Sequence, residues 1–384
     1  MRIGINTLVA SPLRPGSILE YTQRLVESLA RVDQQHEWFL FVSQANHVMF
    51  KDVSNPHFHR IFCPASNERM PLRILSEQTY LPFYALRYRL DVLYCLGDVC
   101  PIIPTCCYVI KLNTFHHHQI PASLSPLRRV YRRLMNDRSA HAARLLIANS
   151  TNARDDALKF TGVSPSKVSV IDEAVDEAFQ PATDRQAVQA ALATEFGLTR
   201  PYILFVSLLY RHKNMWRLLE AFAQARQHMN SNQLLIFAGS DPEKRQPELE
   251  ALARKLGVHE HVRFLGRVAF PDLVRLYQAT DLFVYPSLSE TFGKPPLEAM
   301  ACGAPVVASA VGSIPEVVGE AALLINPEDV NDLAAKIVRG LTDAGLRQAL
   351  IAKGYARVKR YGWQRVATET IAALELAVTR HRSK

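Results

Sequence analysis

Glu290 and Glu298 sit where an apolar β-rich run gives way to a helical one. The stretch reads Tyr285-Pro286-Ser287-Leu288-Ser289-Glu290-Thr291-Phe292-Gly293-Lys294-Pro295-Pro296-Leu297-Glu298-Ala299-Met300-Ala301-Cys302-Gly303. Pro295 and Pro296 suit a first helical turn, and Gly303 suits the residue that closes the helix. A helix start offers unpaired backbone N–H groups and the positive end of the helix dipole, so it favours an anion, and Gly293 lets the backbone come close to one. Carboxylates accept hydrogen bonds, and a sugar or ribose donates them in pairs. A phosphate grip and hydroxyl acceptors within one turn of chain meet the needs of a nucleotide-sugar. Acidic residues also favour a helix start through the dipole alone, so this stretch by itself leaves both readings open.

Two cations occupy a comparable junction. In Ser207-Leu208-Leu209-Tyr210-Arg211-His212-Lys213-Asn214, a β-rich run ends and a helical pattern begins. Arg211 and Lys213 on this loop can neutralise a diphosphate that departs with a nucleotide; the alternative is a solvated surface pair. A third junction, Ala310-Val311-Gly312-Ser313-Ile314-Pro315-Glu316-Val317-Val318, brings Gly312 and Ser313 to a helix start, either to approach a phosphate or base or as a plain turn.

The elements that must position these residues follow a repeated pattern. Strand-like runs occupy Arg2–Asn6, Trp38–Ser43, Asp91–Cys95, Tyr108–Leu112 and Arg144–Ala148. A second series occupies Tyr202–Ser207, Gln233–Ala238, Val262–Leu265, Leu282–Tyr285 and Pro305–Ala308. Amphipathic segments such as Ile18–Val32, Met215–Gln227 and Leu249–Leu256 lie between them. Strand and helix in alternation mean parallel sheets with helices on both faces, an α/β architecture. The series restarts near residue 200. The expected organisation is a Rossmann-like domain over 1–180, a linker over 181–200 with a short helix at Arg185–Phe196, a second Rossmann-like domain over 201–362, and a final helix over 363–384 returning toward the first domain. Open parallel sheets bind ligands beyond the carboxyl ends of their strands, so two such edges facing each other across a cleft are the place for a site.

Together these residues resemble the family-4 retaining glycosyltransferases with the GT-B fold. The resemblance rests on Glu290-x7-Glu298 within SETFGKPPLEAMACGAPVVAS, on Arg211-x-Lys213-Asn214 leading into a helix, and on Gly312-Ser313-x-Pro315-Glu316. Tyr361-Gly362-Trp363-Gln364-Arg365 also resembles the start of the family's final helix. The strong part covers residues 200–380, with several motifs in the right order. The resemblance implies that Glu290 lies near the donor sugar and Glu298 binds the ribose hydroxyls. It implies that Arg211 and Lys213 neutralise the diphosphate and that the amides of Phe292, Gly293 and Lys294 hold the phosphates. Arg267 and Val268 resemble a base-contacting stretch, and Gly239 and Ser240 resemble small residues beside the donor. In the N-terminal half, the family's glycine-rich loop matches Ala10–Ile18, where Gly16 and Ser17 precede a helix and their N–H groups can meet phosphate or acceptor. The family's histidine near the reacting sugar matches Asn113 by position and His116 by residue type. Relatives carry Asn-Gly where this chain has Asp172-Glu173-Ala174-Val175-Asp176. The implied reaction retains anomeric configuration. No D-x-D triplet is present, and neither cofactor nor metal is expected, Arg211 and Lys213 standing in for the ion.

Composition sets outer limits. The chain has 384 residues, six cysteines and a net charge of +9. The cysteines form no C-x-x-C framework and read as reduced, buried thiols. His116-His117-His118 do not read as a metal site, since consecutive residues rarely converge on one ion. The positive charge suits an anionic partner. The segment Ser125–Arg144 has Arg128, Arg129, Arg132, Arg133, Arg138 and Arg144 interleaved with Leu127, Val130, Tyr131, Leu134 and Met135, and Arg69–Arg89 has a similar mixture. Such segments fit an anionic membrane surface and equally an ordinary amphipathic helix. With no apolar run long enough to span a bilayer and no signal-peptide pattern, a cytoplasmic protein at the inner face of the membrane is expected. The expected partners are a nucleotide-sugar, carrying UDP or GDP and a hexose such as mannose, and a glycan or lipid-linked acceptor in surface polysaccharide or glycolipid synthesis. Competing readings are a sugar-nucleotide epimerase, a catalytically inactive sugar-nucleotide binder and a nucleic-acid-binding protein. The last lacks a recognisable motif, and the charge is spread along the chain.

Overall fold

The computed structural model describes residues 1–12, 16–64, 70–113, 126–228 and 232–383. The chain forms two compact units. Met1–Glu173 with Trp363–Lys384 make the first, and Ala174–Gly362 make the second.

The first unit is built on strands β1 (Arg2–Asn6), β2 (Glu37–Val42), β3 (Phe58–Phe62), β4 (Val92–Cys95), β5 (Cys107–Lys111), β6 (Leu145–Ala148) and β7 (Val168–Val170). They lie in the order β3-β2-β1-β4-β5-β6-β7, every pair parallel. The second unit carries β8 (Tyr202–Val206), β9 (Leu234–Ala238), β10 (Val262–Gly266), β11 (Leu282–Tyr285), β12 (Val306–Ser309) and β13 (Leu323–Ile325). Their order is β10-β9-β8-β11-β12-β13, again all parallel. Both sheets start at a central strand, wind outward, then reverse. The reversal falls between β1 and β4 in one and between β8 and β11 in the other, the crevices where such sheets bind ligands.

The strands are continuous apolar runs because helices cover both faces. All four residues of β11 are buried, as are Phe41, Leu93 and Ile110 in the first core and Leu204, Phe283 and Val307 in the second. Three strands have no counterpart in the sequence reading. β7 and β13 have only three residues each. β3 is an edge strand whose His59 and Arg60 interrupt the apolar pattern.

The chain passes between the units at Glu173/Ala174 and again at Gly362/Trp363. The segment 181–200, read from sequence as a linker, belongs to the second unit. Its helix Arg185–Phe196 starts on an Asp184 cap, and Arg275 on helix Phe270–Ala279 pairs with Glu195 at 2.6 Å. The final helix, Trp363–Arg382, completes the first unit: Trp363 lies 5.6 Å from Tyr21 on helix Ser17–Val32, and Arg365 pairs with Asp172 at 3.2 Å. The cysteines are unpaired thiols, all but Cys106 fully buried, and burial pushes Cys63 up to about 12. Among the described residues no helix is long and apolar enough to cross a membrane.

Candidate active site

The loops that leave the carboxyl ends of β8, β11 and β12 are joined by hydrogen bonds. After β8 the chain makes one 3₁₀ turn, Arg211–Lys213, and Asn214 takes a left-handed conformation (φ 64°) that feeds helix Met215–Arg226. A short polar side chain tolerates that conformation. The Asn214 amide donates to the carbonyls of Pro286 (3.1 Å) and Pro327 (2.7 Å), tying the post-β8 turn to the post-β11 loop. The carbonyl of His212 accepts from the N–H of Leu288 (2.8 Å) and from Ser287 Oγ (3.3 Å). From β12, Ser309 Oγ donates to Ser287 O (2.6 Å). Ser313 Oγ bridges the carbonyls of Glu290 (3.2 Å) and Phe292 (2.9 Å).

Two glycines permit this approach. Gly312 has φ 57°, and a Cβ there would lie 2.4 Å from the Glu290 carbonyl oxygen. Gly293, with φ 95°, is the cap of helix Lys294–Ala301. The backbone N–H groups of Phe292 and Gly293 have no hydrogen-bond partner among the described residues. They stand at a helix start, where unpaired donors and the dipole favour an anion.

The fastened loops bring Lys213 and Glu290 together. The two form an ion pair, each side chain only 12% exposed. The Tyr285 hydroxyl closes a ring between them: it accepts from Lys213 Nζ (3.0 Å) and donates to Glu290 Oε1 (2.7 Å). The ammonium also lies 5.3 Å from the centre of the Tyr285 ring. Burial pushes the Glu290 carboxyl up, but the charge and hydrogen bond of Lys213, with help from Tyr285 and Ser287, hold it below the ordinary value. Burial and the neighbouring Glu290 push the Tyr285 phenol well above its ordinary value, so it remains a donor. On helix Lys294–Ala301, buried Glu298 accepts from the Tyr277 hydroxyl at 2.9 Å. Burial and Glu298 likewise raise the Tyr277 phenol.

The other assigned residues are more dispersed. The side chain of Arg211 is exposed, and its backbone N–H donates to Glu243 Oε2 (3.3 Å). Lys294 is buried. At the carboxyl end of β9, Gly239 has φ 145°, and a Cβ there would lie 1.9 Å from Ser207 O. Its N–H donates to Gly266 O (2.7 Å), and Ser240 O accepts from Leu209 N (3.0 Å). Arg267 and Val268 follow β10, an edge strand; Arg267 is exposed and Val268 packs on the core.

In the first unit, Gly16 and Ser17 are exposed at the start of helix Ser17–Val32. Gly16 is extended and has open space where a Cβ would stand, so nothing in the backbone demands glycine. Asn113 follows β5, and its side chain is engaged on both sides. Its Nδ2 donates to Leu96 O (2.8 Å), and its Oδ1 accepts from Lys111 Nζ (3.1 Å). These contacts fit the amide as a brace for its own loop. His116 lies outside the described residues, as do His117 and His118. The glycine-free turn at Asp172-Glu173 is anchored by a buried ion pair: Glu173 Oε1 accepts from Lys111 Nζ and Asn149 Nδ2, each at 3.2 Å. Tyr277, Tyr285 and the Lys111–Glu173 pair escaped the sequence reading, because nothing in their spacing announces a partner distant in the chain.

A doubly wound parallel sheet whose switch point gathers a cation, two carboxylates and, among the described residues, two unpartnered backbone amides defines a Rossmann-like α/β class with its site beyond the strand ends. The model of the family described as glycosyl transferases group 1 matches residues 193–357, and that of glycosyltransferase family 4 matches residues 20–179. The chain belongs to the family-4, group 1 glycosyltransferases. It is 31% identical over 239 residues to O-antigen chain mannosyltransferase B of Escherichia coli, and the match covers 62% of each chain, less than two thirds of that relative's length. Among solved structures, sucrose-phosphate synthase from Thermosynechococcus elongatus superposes with a TM-score of 0.78 at 22% identity, covering 100% of both chains. The Anabaena protein HepE in complex with UDP-glucose gives 0.75 at 21% identity, covering 98% of this chain and 99% of that one. These likenesses establish the GT-B fold, two Rossmann-like domains.

Proposed function

We propose that the chain is a retaining, metal-independent glycosyltransferase that moves a hexose from a nucleotide-sugar to a glycan or lipid-linked acceptor in surface polysaccharide synthesis. The observation that carries this reading is the Lys213–Tyr285–Glu290 ring at the β8/β11 switch point, with Glu290 on the same loop as the amides of Phe292 and Gly293, which have no partner among the described residues. The amides hold the donor phosphates, Lys213 offsets the charge that develops on the departing diphosphate, and Glu298 accepts from the ribose. The sugar C1–O(phosphate) bond breaks as the bond from C1 to the acceptor oxygen forms on the same face. The acceptor's proton passes to the leaving phosphate oxygen. No protein nucleophile is needed, and the cations take the place of a metal. The complex of HepE with UDP-glucose supports a nucleotide-sugar donor, and the mannosyltransferase relative supports mannose as the hexose.

Thermal shift with UDP- and GDP-hexoses tests the donor, because a ligand that binds only the folded chain raises its midpoint. One nucleotide-sugar is expected to raise it, and turnover of that donor is expected to survive EDTA. A flat response across the panel, or activity abolished by EDTA and restored by a divalent ion, overturns the reading.

A second observation favours contact with an anionic membrane. On helix Met70–Arg87, Leu72, Leu75, Phe83 and Leu86 recur at helical spacing and are between 45% and 63% exposed. The helix's one carboxylate, Glu77, is turned inward and buried, whereas Arg87 is exposed and Arg89 follows just beyond the helix. Exposed Val130 and Leu134 alternate with Arg133 and Arg138 on helix Pro126–Ala142. Apolar side chains ringed by arginines fit the headgroup layer of an anionic bilayer. The protein is expected to co-sediment with phosphatidylglycerol vesicles and not with phosphatidylcholine vesicles. Leu75→Ser with Leu86→Ser is expected to abolish this; vesicle binding unchanged in that variant refutes the surface.

A further inference from the structure

We infer that Tyr285 and Tyr277 are positioning residues for the two glutamates, Tyr285 serving the chemical step through Glu290 and Tyr277 serving donor binding through Glu298. The inference rests on the reading of this site as the donor site. The geometry is asymmetric. The Tyr285 hydroxyl takes part in a closed ring, accepting from Lys213 and donating to Glu290, whereas the Tyr277 hydroxyl donates to Glu298. When a diphosphate draws the Lys213 ammonium toward itself, the Tyr285 hydroxyl remains beside Glu290 as its donor. That hydrogen bond then keeps the carboxylate ionised and oriented while the cation is shared. Both rings are held by packing that a lost hydroxyl leaves intact: Tyr285 stacks on Phe283 at 6.0 Å and Phe205 at 6.3 Å, and Tyr277 lies 5.4 Å from Phe283.

Among the described residues, the groups that act on the Glu290 carboxyl come from two neighbouring elements. Lys213 comes from the post-β8 turn and Tyr285 and Ser287 from β11 and its loop, while Ser313, from the post-β12 loop, contacts its backbone carbonyl. Glu298 acts on Tyr285 through its charge. Two of the three groups that hold the Glu290 carboxyl down therefore remain in a variant lacking the Tyr285 hydroxyl, and its titration moves up without disappearing.

The test compares Tyr285→Phe, Tyr277→Phe and Glu290→Gln in the full chain, with the donor that thermal shift selects. Tyr285→Phe is expected to lower kcat by about 10- to 100-fold, the loss when a hydrogen bond to a charged group is removed. Donor KM should change little, and the acid limb of the kcat profile should move to higher pH. Tyr277→Phe is expected to raise donor KM by about tenfold, with kcat and the acid limb in place. Replacing Tyr285 by 3-fluorotyrosine strengthens the donor without altering the packing, and it should move the acid limb to lower pH. That readout covers the case in which the phenylalanine variant folds poorly. Unchanged turnover in Glu290→Gln removes the site reading and this inference together. A Glu290→Gln variant that is impaired while both tyrosine variants match the wild type in kcat, KM and acid limb overturns the inference alone. A uniform fall in stability with no displaced limb does the same.

Discussion

Lys213 meets a carboxylate and a phenol within the folded chain before any ligand arrives. Its replacement therefore has two consequences. Lys213→Ala is expected to lower donor turnover by about 100-fold or more, the scale seen when one group that stabilises developing charge is removed. It also strands Glu290 in a buried place. In the native chain the folded value of Glu290 is depressed, so the residue stabilises the fold above the ordinary carboxylate value of 4.5 and loses that contribution as pH falls through the depressed value. In Lys213→Gln only the hydrogen bonds of Tyr285 and Ser287 still oppose burial, so the folded value rises and the gain of stability with rising pH is expected to shrink. Urea midpoints at acid and neutral pH, compared between wild type and variant, check this; parallel profiles would contradict it. Glu290, Glu298, Gly293 and Lys213 were legible in the sequence because each stands at a strand-to-helix junction. Tyr277 and Tyr285 were not, since a tyrosine within a helix or ending an apolar strand looks like core until its hydroxyl is seen to reach another element. Asn113 was legible by position, yet Lys111 and Leu96 already engage both ends of its amide.

Loops carry the site, and glycines at positive φ set how closely they approach one another. Gly312→Ala places a Cβ against a backbone oxygen that cannot swing aside. It is expected to cost about 1–3 kcal/mol of stability and to displace the Glu290 loop, lowering the thermal midpoint and turnover together. A variant with native midpoint and activity would show that the loop relaxes freely. The Lys111–Glu173 pair anchors β5 to the chain beyond β7 in the first unit. Lys111 is 2% exposed and lies 4.1 Å from the centre of the Tyr21 ring. Glu173→Ala leaves that ammonium buried without its carboxylate and is expected to destabilise by about 3–5 kcal/mol, whereas replacing both partners together with apolar residues costs less. Denaturant midpoints of single and double variants distinguish the two. The longer strands were readable as apolar runs, while β7 and β13 were too short to show a period. The glycine-free turn at Asp172-Glu173 gave no hint that its acid side chain points inward, because an ion pair 62 residues apart leaves no local pattern.

At the scale of the molecule, the sequence showed two α/β series and a restart near residue 200. The division itself falls at Glu173/Ala174, because Arg185–Phe196 packs on the second unit through Arg275 and Glu195. The first unit is discontinuous, and its last helix supplies Trp363, Val366, Leu374 and Ala377 to buried positions. Ending the chain after Gly362 is expected to destabilise the first unit and leave the second folded, visible as two separated thermal transitions where the intact protein has closer ones. A single sharp transition in the shortened chain would contradict it. The same discontinuity governs the order of events during synthesis. Domains ordinarily mature from the amino terminus as they leave the ribosome. Here Ala174–Gly362 is one continuous stretch that leaves the ribosome before the helix Trp363–Arg382, so the second unit is expected to be able to close its core before the first receives that helix.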